Sequence, residues 1–119
     1  MNELSPVATR PLFVFGTLRR GHRNHHYLDG RYARVIPAIL RGYQRLHELM
    51  IAPAHDGLVD GELFFLTPDI SDVTLAGCDG LEEIPPGQLI GDKYERRLVS
   101  VETTDGELEA WAYVQPEAG

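Results

Sequence analysis

Cysteine is almost absent from this sequence. Cys78 stands alone among 119 residues, so no disulfide can form within the chain and no cysteine-cluster zinc site can be built. That usage fits a reducing cytoplasm. Long hydrophobic runs are missing too, for no stretch approaches the ~20 apolar residues that a membrane helix needs. The opening MNELSPVATRP lacks the apolar core of a secretory signal, and residues 1–11 are expected to be a flexible lead-in. Positive charge is in short supply: 11 basic residues face 18 acidic ones, for a formal charge of −7. Nucleic acid and anionic membrane are therefore disfavoured as partners. The local exception is the group Arg19, Arg20 and Arg23.

What is present is enough apolar material, 43% of the residues, to build a core. The length suits one domain, expected over residues 12–119. Leu12 to Phe15 is a short apolar run closed by Gly16, which reads as a buried strand. A loop from Gly21 to Gly30 leads into a short helix, and residues 32–46, interrupted by Pro37 and Gly42, suit two short strands or one kinked strand. The pair Asp56-Gly57 predicts a turn, followed by a strand from Val59 to Leu66.

Thr67-Pro68 with acidic residues behind it opens a helix whose buried side is expected to carry Ile70, Val73, Leu75 and Leu81. After a loop rich in proline and glycine, YERRLVSVET and LEAWAYV alternate around a turn at Asp105-Gly106 and predict a hairpin. Five or six strands with one clear helix favour an α+β fold or a small barrel over a doubly wound sheet.

Four features could carry chemistry. A glycine directly after a buried strand lets successive N–H groups converge on an anion; the simpler alternative is that Gly16 only turns the chain. GTLRRGHR approaches a phosphate-binding loop but lacks its lysine and following hydroxyl, so a nucleotide site is rejected. His22, His25 and His26 have the spacing of one helical face without a further ligand at a recognised interval, and a polar or packing role is favoured over a metal. In CDGLEEIPPG, the adjacent Glu82 and Glu83 at a helix end cannot share one environment. A carboxyl drawn inward would have its pKa raised by desolvation and could act as a general base and acid; the simpler alternative is a solvated acidic turn.

In order, LFVFGTLRRG with Asn24, VDGELFFL, LAGCDGLEE, YERRLVSVET and EAWAYV resemble the γ-glutamylcyclotransferase-like family, which includes AIG2-like and butirosin-pathway enzymes, over about residues 12–114. The resemblance implies a small mixed β-barrel with flanking helices, needing no metal or cofactor. It also implies an intramolecular acyl transfer that converts a γ-glutamyl amide or peptide to 5-oxoproline and a free amine or amino acid. By the same resemblance Glu82 is the general base and acid, with Glu83 the alternative. Phe15, Gly16, Thr17, Leu18 and Tyr94 bind the substrate, and Arg96 completes the pattern that Tyr94 opens. Two departures are visible: Phe15 replaces the commoner tyrosine and Cys78 a leucine. The leaving amine is left to loops such as 47–57 and 84–93. A non-catalytic binder of a small amino-acid metabolite is the alternative on this fold.

Overall fold

The computed structural model describes residues 10–47 and 49–116. Its strands are β1 (Leu12–Val14), β2 (Tyr32–His47), β3 (Met50–Leu66), β4 (Glu95–Thr103) and β5 (Gly106–Val114). They close a barrel in the order β1-β3-β2-β4-β5. All neighbours are antiparallel except β1 and β5, which run parallel at Leu12↔Trp111, so the barrel is mixed. Of the expected lead-in, residues 1–9 lie outside the described residues. Arg10 and Pro11 are fastened instead: Arg10 pairs with Glu109, and Trp111 N–H donates to the Pro11 carbonyl at 2.8 Å.

The alternation of side chains along each strand sorts the core into two layers. Phe13 and Phe15 point into the barrel, where Ala110, Ala112 and Ala38 leave room for them beside Leu40, Leu63 and Val101. Leu12 and Val14 point the other way, joining Phe64, Trp111 and Tyr113 beneath the helix α1 (Ser71–Leu81). Strand β1 is thus buried on both faces, which is why its sequence is uniformly apolar.

Of the two alternatives for residues 32–46 the structure takes the single strand, kinked where Gly42 at φ +86° provides a left-handed bulge. Other expectations are corrected. Asp56-Gly57 does not end a loop: both lie within β3, where residues 54–57 bulge opposite Gly42, between the pairs Tyr43↔Pro53 and Arg41↔Leu58. Finally, Val73 is 64% exposed. The inner face of α1 carries Leu75 as expected and, with it, Ser71, Thr74, Cys78 and Asp79; Thr74 Oγ1 donates back to the Ile70 carbonyl at 2.9 Å and Asp79 pairs with the Arg96 guanidinium. A 3₁₀ turn at Pro68–Ile70 precedes the helix, and Thr67 caps that turn without a side-chain bond. The short helix expected after Gly21 is a 3₁₀ turn, His25–Tyr27.

Candidate active site

Strand β1 delivers the chain to Phe15, and residues 16–18 turn across the open end of the barrel. Arg19 N–H donates to the Gly16 carbonyl at 3.1 Å and Arg19 Nε to the same oxygen at 3.0 Å. Asn24 braces the turn twice, through its N–H to the Thr17 carbonyl at 3.0 Å and its Nδ2 to Thr17 Oγ1 at 2.9 Å. Arg45 reaches over from β2 and donates to the Phe15 carbonyl at 2.9 Å. All these bonds consume carbonyls or side chains. Among the described residues the N–H groups of Gly16, Thr17 and Leu18 have no partner, a surplus of donors suited to an anion.

Helix α1 ends facing this turn. Ile84 N–H donates to the Asp79 carbonyl at 2.9 Å and Glu83 N–H to that of Gly80 at 3.1 Å, the two reciprocal bonds of a Schellman cap. The cap separates the two glutamates. Glu82 is the last residue before the reversal and is half-buried, whereas Glu83 takes the left-handed conformation, φ +61°, and points to solvent. Ile84 closes the cap by packing into the layer beneath the helix. Gly91 is fitted against the reversal so tightly that a Cβ there would lie 2.7 Å from the Glu83 carbonyl.

Burial pushes the Glu82 carboxyl up to about 7, and the adjacent Glu83 carboxylate adds to the shift. The Tyr94 hydroxyl donates to the Leu49 carbonyl, and burial together with the Glu82 charge moves its pKa upward. Phe15, Gly16, Thr17, Leu18, Glu82 and Tyr94, six residues singled out from the sequence, wall one cavity of about 120 Å³. An open groove of about 650 Å³ adjoins it and shares Leu49, Leu81, Glu82 and Tyr94.

A proton acceptor of near-neutral pKa thus faces a set of unpaired amides, the pairing that acyl transfer needs. The chain matches, over residues 12–119, the family described as gamma-glutamyl cyclotransferase, AIG2-like. It belongs to that family. A gamma-glutamylaminecyclotransferase of Bos taurus is 30% identical over 117 residues, 87% of this chain and 64% of that one. A putative gamma-glutamylcyclotransferase of Methanocaldococcus jannaschii is 28% identical, over 90% of this chain and 85% of the other. The crystal structure of YkqA from Bacillus subtilis superposes with a TM-score of 0.70 at 24% identity, covering 90% of this chain and 36% of that larger one, which establishes the shared fold.

Both residues that depart from the expected family pattern are packed in the interior. Phe15 is nearly buried, with its ring in the barrel interior and the Arg45 guanidinium 5.6 Å from the ring centroid. Cys78 is fully buried under α1, and burial with the neighbouring Asp79 raises its thiol to about 12, which keeps it protonated and inert. The histidines do not assemble a metal site: among the described residues no group of three or more His, Cys, Asp or Glu side chains is placed to hold an ion. His25 instead sets Nδ1 3.0 Å from the Leu18 carbonyl, bracing the turn from below. Sequence reasoning named the loop 47–57 without singling out Leu49, which lies in the turn between β2 and β3, and missed Arg45 near the end of β2; neither carries a local signal. Asn24 was legible only as part of the family string. No helix among the described residues is long and apolar enough to cross a membrane.

Proposed function

We propose that residues 12–119 act as one catalytic domain, a γ-glutamyl cyclotransferase that releases 5-oxoproline from a γ-glutamyl amide or peptide. The names of its relatives support the general activity. The observation that carries the mechanism is the Glu82 carboxyl, raised to about 7, lining the same cavity as the unpartnered 16–18 amides.

Glu82 takes a proton from the substrate's α-ammonium, and the freed amine attacks the γ-carbonyl of its own glutamyl group. The C–N bond of the lactam forms while the carbonyl oxygen becomes an oxyanion, stabilised by the turn's N–H groups. Collapse of this intermediate breaks the original amide as Glu82 returns the proton to the departing nitrogen, and the ring nitrogen then gives up its second proton through Glu82 to the released amine, which leaves as an ammonium beside a neutral lactam. Atoms and charge balance without a metal, cofactor or water. Holding the glutamyl chain folded between Phe15 and Tyr94 supplies orientation, a large part of the acceleration in an intramolecular reaction. The adjoining groove receives the leaving amine. The single buried cysteine suits a reducing cytoplasm as the place of work.

The test is release of 5-oxoproline from a panel of γ-glutamyl amino acids, γ-glutamyl amines and glutathione by wild type and Glu82→Gln. Turnover of one class, reduced at least ~100-fold in a folded mutant, is expected. A mutant that keeps most of the activity would overturn Glu82 as the acid and base. Thermal stabilisation by a γ-glutamyl ligand with no turnover of any would make the protein a binder on this fold.

A further inference from the structure

The cavity shares lining residues with two neighbouring grooves whose walls differ in charge. The groove that begins at Glu82 also carries Glu83 and Asp92, with Lys93 beside them. On the other side of Leu49 a smaller groove, about 250 Å³, runs past Gly16 and Thr17 to Arg19, His22 and Arg23. Arg23 belongs to the walls of both this basic groove and the central cavity.

The three arginines after the turn have different commitments. Arg19 is tied to the Gly16 carbonyl and Arg20 is paired with Glu62 at 3.0 Å. Arg23 has no hydrogen bond or ion pair among the described residues, although it stands on the cavity wall beside three free amides.

Resting on the cyclotransferase reading, we infer that Arg23 is a substrate-binding residue that receives the α-carboxylate of the glutamyl group. The α-carbon bears both the reacting amine and this carboxylate. With the amine at Glu82, two negative groups repel unless the carboxylate is turned to the opposite side of the cavity, where the 16–18 amides and the Arg23 guanidinium await it. That orientation leaves the γ-amide pointing along the second groove, past Leu81 and Tyr94. Arg23 therefore fixes the direction in which the substrate lies, and neutral analogues without the carboxylate gain nothing from it.

Binding of two lactams tests this without turnover. Both 5-oxoproline and 2-pyrrolidinone carry the five-membered ring, and only the first carries the carboxylate. Their affinities are measured by calorimetry or NMR titration for wild type, Arg23→Ala, Arg23→Lys and Arg20→Ala. Arg23→Ala is expected to weaken 5-oxoproline about 5- to 10-fold, the low end for a charge-assisted contact at an exposed position, and to leave 2-pyrrolidinone unchanged. The lysine variant is expected to recover part of the loss. Arg20→Ala, which makes the same change of charge outside the cavity, is expected to shift binding less than about twofold.

Unchanged 5-oxoproline affinity in Arg23→Ala, or equal loss of both lactams, would overturn the assignment. If wild type releases and binds 5-oxoproline while Arg23→Ala behaves like it, this inference alone fails. If wild type binds neither lactam and turns over no γ-glutamyl compound, the cyclotransferase reading falls with it.

Discussion

Asp79 and Glu82 lie less than one helical turn apart and have opposite surroundings. Asp79 is met by three donors: Arg96 Nε at 2.8 Å, Arg96 Nη2 at 3.2 Å and the Tyr113 hydroxyl at 2.6 Å. The Arg96 guanidinium is itself stacked 4.3 Å from the Trp111 ring centroid. Glu82 has no hydrogen bond or ion pair among the described residues, and burial beside a second carboxylate raises its proton affinity. One carboxylate is locked in place by compensation, whereas the other is left unpaired and holds its proton more tightly. The locked one, on the inner face of α1, fastens the helix end to β4 and β5 and thereby fixes where Glu82 stands.

The comparison breaks first at Asp79. Asp79→Ala leaves the Arg96 charge and the Tyr113 hydroxyl buried without their partner, and such half-broken pairs cost about 3–5 kcal/mol. Chemical denaturation should show this loss; a cost under about 1 kcal/mol would mean that the helix end is held by packing alone.

At Glu82 a smaller effect of opposite sign is expected. Its folded value, about 7, is above the ordinary 4.5, so the protonated form favours the fold. That contribution is complete below pH 4.5 and is lost as pH rises through about 7. Glu82→Gln should therefore be more stable than wild type by roughly 1–3 kcal/mol at about pH 8, with the difference shrinking in acid. Equal stability across the range would deny that Glu82 is desolvated. Wild-type kcat/KM should rise with an apparent pKa near 7, as the base loses its proton.

The same contrast explains what could be read from the residues alone. Strand β1 and the β4–β5 hairpin were legible because local rules decide them: a run buried on both faces, and a turn with Gly106 at φ +106°. The inner face of α1 was read in part: Leu75 is buried and Leu81 packs against the core as expected, but Val73 is exposed and polar residues share the buried side. Ser71, Thr74 and Asp79 find their partners through folding, and a hydrophobic pattern cannot see them. Asp56-Gly57 carries the chemistry of a turn, yet the long β2–β3 ladder absorbs it as a bulge. For the site, the turn at Gly16 and the glutamate pair were visible as residue types, but the choice between Glu82 and Glu83 depends on the helix cap. The convergence of Leu49, Tyr94 and Arg23 on one cavity depends on closure of the barrel.

Glu83 gives the finest test, because it holds a conformation that glycine adopts without strain. At φ +61° the C′ position of a Schellman cap costs a residue with a Cβ about 1 kcal/mol relative to glycine. Glu83→Gly should raise stability by about that amount, whereas Glu83→Gln keeps the strained backbone and should not. Both variants remove the charge that helps to hold Glu82 at about 7, so both should move the acid limb of kcat/KM to lower pH. The pair of variants separates backbone from charge. A limb that moves in both, with stability gained in glycine alone, would show a fold accepting strain at Glu83 to keep a carboxylate beside its base. A limb that moves in neither would leave desolvation as the sole cause of the Glu82 shift and Glu83 as a surface residue.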